Sequence, residues 1–402
     1  QVLKNRLDIL EDLLPTRIAS ELNLGSLDEA LRETHSPKKE SLAIDELSPA
    51  KKRLVTEELI ANQIGMRQIK RASKKHSAMP LTQHEMKERF ISMLPFELTE
   101  SQKKVSSEIT SDIALDQPMM RLLQGDVWSG KTVVAGLAMA IAVDSGFQSV
   151  LMAPTELLAE QHKQNLDRWF GPLGVKTGLL KSKLKVPEKR VLKESIANGD
   201  CQIIIGTHAL FQESIEYNNL SLVIVDEQHR FGVEQRFSLI NKAKRGGIVP
   251  HQLIMTATPI PRTLAMTAYG DLDNSIISEL PSGRGEIATL CLSEDKREEV
   301  VEKALREIKK GRQVYWVCPL IEESEDHNRE SAEATFKKLS ENLSGHRIGL
   351  VHGKLSADKK NKAMSEFKEH KLDLLVATTV IEVGVDVPNA SIMVIENTER
   401  LG

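Results

Sequence analysis

Gly125, Gly130, Lys131 and Thr132 stand at the spacing G-x-x-x-x-G-K-S/T, inside the run LLQGDVWSGKTVV from Leu122 to Val134. A short apolar run breaks at Gly125, and a helical pattern resumes after Thr132. Successive backbone N–H groups and a helix N-terminus make an anion cradle. A lysine at this place reaches the β/γ-phosphates, and the following hydroxyl can ligate Mg²⁺. Gly125, Asp126, Val127, Trp128, Ser129, Gly130, Lys131 and Thr132 are therefore candidate nucleotide contacts, with ATP as the expected ligand. A glycine turn between a strand and a helix would share part of the pattern, but the order strand, loop, helix is the one a phosphate loop requires.

About ninety residues later the apolar run LVIV ends in Asp226-Glu227-Gln228-His229. A carboxylate at the C-terminal end of a buried parallel strand lies where α/β proteins bind ligands, so Asp226 can hold Mg²⁺ through its waters. Glu227 is the candidate base that orients the attacking water. Alone, acids at a strand end are often only solvated; with the phosphate loop they form a set. Ahead of the loop, Thr99 reads as a helix N-cap, and the Gln102 amide could bond the adenine edge. Met255-Thr-Ala-Thr-Pro259 ends the next strand, beside Asp226.

These residues need a sheet to hold them. Strand candidates alternate with helix-length segments from Leu94 onward: Leu122–Leu123, Ser149–Ala153, Val175–Leu179, Gln202–Gly206, Leu222–Asp226 and Gln252–Thr256. A second series holds Gln313–Cys318, Arg347–Val351, Leu372–Ala377 and Ile392–Glu396. That rhythm predicts parallel sheets with helices on both faces, an α/β fold of two tandem domains. The expected organisation is a helical brace over 1–93, an ATP-binding domain over 94–280 and a second domain over 281–402, joined in Pro281–Gly285. The brace shows helical patterns at LDILEDLL, at Ser26 with Glu29, and over Ser48–Lys75. Its Lys70, Arg71, Lys74 and Lys75 read as a solvated face before a phosphate contact.

With 402 residues and 40% hydrophobic content the chain can bury two or three cores. It has no apolar run of membrane-spanning length and no signal-peptide core at its start, so the cytoplasm is the default and no membrane is expected. Cys201, Cys291 and Cys318 are far apart and read as core thiols without disulfide or metal spacing. A net charge of −3 gives no bulk attraction to nucleic acid, so polyanion binding would be local.

The segments GDVWSGKT, APTELLAEQH, GTHAL, DEQHRFGVEQR, MTATPIPRTLA, VHGKL and ATTVIEVGVDVPNA occur in the order of the motor motifs of superfamily 2 helicases and translocases. RLVTEELIANQ, LPFELTESQ, SELPSGR and VYWVCPLIEESE resemble the RecG family in particular, more than the transcription-repair coupling factors. The resemblance implies two RecA-like domains that use ATP and Mg²⁺ to drive remodelling of branched or double-stranded DNA, such as stalled forks and Holliday junctions. It also implies a bacterial cytoplasmic protein acting as a monomer, with a single-stranded DNA-binding protein as a candidate contact. Carried over by position, Lys131, Asp226 and Glu227 are catalytic, Thr132 and Asp226 hold the metal, and Gln102, Gln228 and His229 join the nucleotide contacts. The DNA track would be Pro154, Thr155, Gly206, Thr207 and His208, with His352, Gly353, Thr378 and Thr379; such groups grip phosphates without reading bases.

The chain departs from the family pattern at three places. Trp128 replaces a glycine, Thr56 a phenylalanine and Ser282 a proline. The family's N-terminal wedge domain and its arginine-bearing last motor motif have no counterpart in this sequence, so the expectation is a motor fragment of low intrinsic ATPase. Other readings stay open: a scaffold in which Trp128 blocks ATP, a coupling-factor-like translocase, or a motor on RNA or polypeptide.

Overall fold

The structure, a computed structural model, describes residues 11–36, 48–73, 76–181, 184–212, 215–227, 247–257, 272–279, 287–318, 325–378, 387 and 389–400. The chain divides into two compact units, residues 1–149 with 217–279 and residues 150–216 with 280–402.

The first unit begins with helices α1 (Thr16–Glu21), α2 (Leu27–His35), α3 (Pro49–Ser73) and α4 (Glu85–Met93). Ser26 opens α2 with a reciprocal capping box: its hydroxyl accepts from the Glu29 N–H while Glu29 accepts from the Ser26 N–H. Such a cap contributes about 1 kcal/mol. Fully buried Arg53 fastens α3, with ion pairs of 2.5 Å to both Asp12 and Glu57 and a 3.1 Å bond to the Gly25 carbonyl. A guanidinium out of water is tolerable only with partners on every side. Of the run Leu7–Leu14, residues 11–14 are not helical and the rest lie outside the described residues, as do Lys74, Lys75 and the side chains of Lys70 and Arg71.

The chain then runs through α5 (Glu100–Ile113), β1 (Met120–Gly125), α6 (Lys131–Asp144), β2 (Gln148–Met152), α7 (Glu156–Phe170), β3 (Thr177–Leu180), α8 (Val186–Ala197), β4 (Ile203–Gly206), β5 (Leu220–Asp226), β6 (His251–Thr256) and β7 (Asp273–Ile277), of which α7, β3, α8 and β4 fall within residues 150–216 of the second unit. The strands form one sheet in the order β3-β4-β2-β5-β6-β1-β7. The β5–β6, β6–β1, β1–β7 and β3–β4 pairs are parallel. Runs such as Ile203-Ile-Ile205 and Leu222-Val-Ile-Val225 are buried along their whole length, as strands covered on both faces must be. Helix α6 is buried throughout residues 133–143, which explains its lack of a polar face.

In the register of β5, β6 and β1, Asp226 stands beside Met255 and Gln124 beside Thr256. The acidic pair, the small hydroxyl residues and Gly125 therefore leave the sheet at one C-terminal edge. Strand β7 escapes the sequence pattern because Asp273, Asn274 and Ser275 are polar; it is the edge strand, with only Ser275 and Ile277 buried.

Residues 280–402 of the second unit carry a four-stranded parallel sheet, with α9 (Arg297–Lys309), β8 (Gln313–Val317), α10 (Glu325–Asn342), β9 (Ile348–Val351), α11 (Ala357–Lys368), β10 (Leu374–Ala377) and β11 (Ala390–Ile395), its strands in the order β11-β8-β10-β9. Trp316, Val314, Leu374 and Val376 fill one face, and Tyr315, Leu375 and Phe367 the other, where the two rings meet edge to face at 4.7 Å. Cys201 and Cys318 are core thiols as expected, but Cys291 is exposed. Its neighbours Ile287, Leu290 and Leu292 are exposed as well, so an apolar run did not here mean burial. Among the described residues no helix is long and apolar enough to cross a membrane.

Candidate functional site

Strand β1 ends at Gly125 and α6 begins at Lys131, leaving a five-residue turn that must reverse sharply. Two residues do so at positive φ: Gly130 at 87° and Trp128 at 74°. A Cβ on Gly125 would collide with the Ser129 hydroxyl, and one on Gly130 with the Gln102 amide, so close approach also requires glycine at both. The Lys131 Nζ donates to the Gly125 carbonyl at 2.8 Å and the Asp126 carbonyl at 2.9 Å. Ser129 N–H donates to the same Asp126 carbonyl at 3.1 Å, and Val127 N–H to the Asp126 carboxylate at 2.7 Å. The loop's cation and two of its N–H donors thus converge on oxygens, chiefly of one residue. A phosphate offers oxygens of the same kind and would compete for these donors.

Burial pushes the Lys131 ammonium below its ordinary pKa, against the opposing charges of Asp226, Glu227 and Asp126. That balance places the acidic pair of β5 within electrostatic reach of the loop lysine. Asp226 is nearly buried at the end of β5. Glu227 follows at φ 52°, a strained backbone held from both ends: its N–H donates to the Met255 carbonyl at 2.9 Å, and its Oε1 accepts from the Ala257 N–H at 3.1 Å. The side chain is thereby tied to the segment after β6, a contact the sequence did not disclose. Thr132 is the second residue of α6 and is partly buried. The donor set fits a triphosphate with a divalent cation: one ammonium, two carboxylates and a hydroxyl around a glycine cradle. Gln228 and His229 lie outside the described residues.

Gln102 differs from its expected role. Its side chain is buried and both ends of the amide are engaged: Oε1 accepts from the Thr99 N–H at 2.9 Å, and Nε2 donates to the Ser129 carbonyl at 2.9 Å. As placed, it fastens the phosphate loop to the start of α5 and offers no open edge to adenine.

The nucleic-acid candidates all belong to the second unit. Pro154 and Thr155 follow β2, Gly206 ends the neighbouring β4, and the Ala153 N–H donates to the Gly206 carbonyl at 2.9 Å, so these segments lie side by side. His352 and Thr378 likewise follow the paired strands β9 and β10. The chemistry of several is not what the motif suggested. Thr155 spends its hydroxyl capping α7, accepting from the Leu158 N–H at 3.3 Å. Thr207 and Thr378 are buried, with no partner for their hydroxyls among the described residues. Gly206 is required by packing, since a Cβ there would stand 2.7 Å from the Leu180 carbonyl. His352 is buried, 3.8 Å from Glu333. Exposed His208 and exposed Gly353 are the groups that present a surface. Thr379 lies outside the described residues.

Trp128 was expected to strain or obstruct the loop. The strain is present, at φ 74°, while the indole is 53% exposed. A left-handed backbone at a residue other than glycine opposes folding. Trp128→Gly is expected to relieve roughly 1–3 kcal/mol of backbone strain at a glycine entropy cost of up to about 1 kcal/mol. The melting temperature should rise by a few degrees, measured by calorimetry; a fall would show that the indole stabilises the loop by contact. A gain in Mg-ATP affinity, measured by calorimetric titration, would show that Trp128 also obstructs the nucleotide.

Known proteins match the chain over most of its length. The family model "DEAD/DEAH box helicase" matches residues 99–267, and "Helicase conserved C-terminal domain" matches 295–400. The chain is 53% identical over 382 residues to the ATP-dependent DNA helicase RecG of Haemophilus influenzae, covering 94% of this chain and 55% of that one. It is 50% identical over 399 residues to the Escherichia coli protein of the same name, covering 98% and 57%. A solved structure of RecG bound to a three-way DNA junction superposes with a TM-score of 0.80 at 39% identity, covering 99% of this chain and 52% of that one. The chain thus spans about half the length of the curated relatives it matches. From its motor motifs, its paired sheets and its identity to these relatives, this chain belongs to the RecG family of helicases.

Proposed function

We propose that this chain is the motor of an ATP-dependent helicase that remodels branched DNA. The observation that carries the reading is the convergence of Lys131 with Asp226 and Glu227 at one sheet edge. With nucleotide bound, Lys131 would neutralise the β/γ-phosphates, Thr132 and Asp226 would hold Mg²⁺, and Glu227 would orient the attacking water. The metal supplies charge neutralisation on the phosphates. Domain limits of 1–93, 94–280 and 281–402 are supported by the separate four-stranded sheet and by the two family matches. Branched DNA as the track is supported by what the RecG relative was solved with. The exposed His208 and Gly353, together with the surface of the Pro154-Thr155 turn, grip its backbone.

The test compares ATPase stimulation of the complete gene product by forked DNA, linear duplex DNA and duplex RNA. Forked DNA should stimulate most; equal stimulation by RNA would overturn the substrate reading.

A further inference from the structure

A carboxylate from far along the chain sits on the helix that holds the phosphate loop. The Glu279 Oε2 accepts from the Ser101 N–H at 3.1 Å and the Ser101 hydroxyl at 3.2 Å, 178 positions away in sequence. Bonds from the Thr99 side chain and the Glu100 N–H add to these, and together they hold the Glu279 carboxyl below its usual range. This first turn of α5 already has its own capping box. The Gln102 N–H donates to the Thr99 hydroxyl at 3.3 Å, and the Thr99 N–H donates to Gln102 Oε1 at 2.9 Å. With Glu279 added, the first three N–H groups of the helix are all satisfied.

In this turn Gln102, its Oε1 on the Thr99 N–H, sets Nε2 on the Ser129 carbonyl. Ser129 in turn donates to the Asp126 carbonyl, which also takes Lys131. An unbroken line of hydrogen bonds therefore runs from Glu279 through the start of α5 and Gln102 to the loop lysine. All of these residues lie in the first unit. Glu279 is also the residue from which the chain runs on toward the second family match at 295.

We propose that Glu279 is a positioning residue of the nucleotide site, which locks α5 and Gln102 onto the phosphate loop and so links nucleotide occupancy to the chain segment that leaves this unit. This rests on the ATP reading of the loop. A triphosphate competes for Lys131 and for the loop N–H groups, so it shifts Ser129 and with it Gln102. Linkage makes the effect reciprocal: whatever holds Glu279 in place changes nucleotide affinity by the same factor as nucleotide changes that hold.

The experiment titrates a fluorescent ATP analogue with Mg²⁺ into the native chain and into E279A, E279Q, Q102A, E279A/Q102A and K131A, with melting temperature recorded for each. E279A and Q102A should each weaken binding about fivefold or more. The double variant should be no weaker than the worse single one, as members of one line are not additive. E279Q, which keeps an acceptor oxygen, should recover at least half of the loss on a logarithmic scale. Losses that multiply in the double variant, or an E279A chain that melts lower yet binds nucleotide normally, would reduce Glu279 to a helix cap and overturn the proposal. Native binding by K131A would overturn the ATP reading, and the proposal with it. A defective K131A beside an unaffected E279A overturns the proposal alone.

Discussion

Glu227→Gln should bind Mg-ATP within about threefold of the native protein and hydrolyse it at least about 10²-fold more slowly, the usual worth of a general base. The structure makes this substitution unusually clean. Two contacts of Glu227 are described: its own N–H on the Met255 carbonyl, and its Oε1 on the Ala257 N–H. An amide keeps both, because its carbonyl oxygen still accepts from Ala257. What it loses is the negative charge that would draw a proton from water. That charge also opposes the polyphosphate and raises the Lys131 pKa, so its removal has small and opposed effects on binding. Glu227→Ala, by contrast, would free the Ala257 segment and disturb both properties. Single-turnover hydrolysis and equilibrium binding on the complete gene product separate the two variants. Native hydrolysis by Glu227→Gln would refute the assignment of the base.

The sheets were legible because buried parallel strands leave continuous β-branched runs, and each of the ten strand candidates has a counterpart in the structure. Strand β7 was not, since an edge strand buries one face and its Asp273 and Asn274 carry no such signal. Of the site, the phosphate loop and the acidic pair could be read, as their spacing is set by the ligand. At position 128 the family's glycine pointed to a special backbone or a close phosphate approach, and Trp128 stands there at positive φ. Gln102 could not be read, because its partner is a backbone carbonyl 27 residues on, and main-chain acceptors leave no residue type to recognise. Glu279 was hidden too, its partners being two N–H groups and two hydroxyls of one helical turn far back in the chain. The threonines of the expected DNA track show the opposite failure: motif position suggested exposed hydroxyls, but Thr207 and Thr378 follow strands so fully buried that their side chains are covered.

Lys131→Ala should lower Mg-ATP affinity by about 10- to 100-fold, the worth of a charge-assisted hydrogen bond of roughly 1.5–3 kcal/mol. Strand separation of forks should fall to background, since alanine also removes the bonds to the Gly125 and Asp126 carbonyls that shape the loop. Binding to forked DNA without nucleotide should be unchanged, because the Lys131 ammonium is engaged by the carbonyls of its own loop. Native unwinding by this variant would refute the phosphate-loop assignment. The same residue gives a pH signature. Burial holds the Lys131 pKa below the ordinary lysine value of 10.5 in the free protein, and a polyanion beside it must raise that pKa again. Between the two values the free lysine is partly neutral and the bound one charged, so binding takes up a proton. Affinity should therefore fall as pH rises through the lowered free-state value, and calorimetric titrations in buffers of different ionisation enthalpy should show uptake in that window. Lys131→Ala should show neither effect, and uptake persisting in the variant would assign the proton to another group.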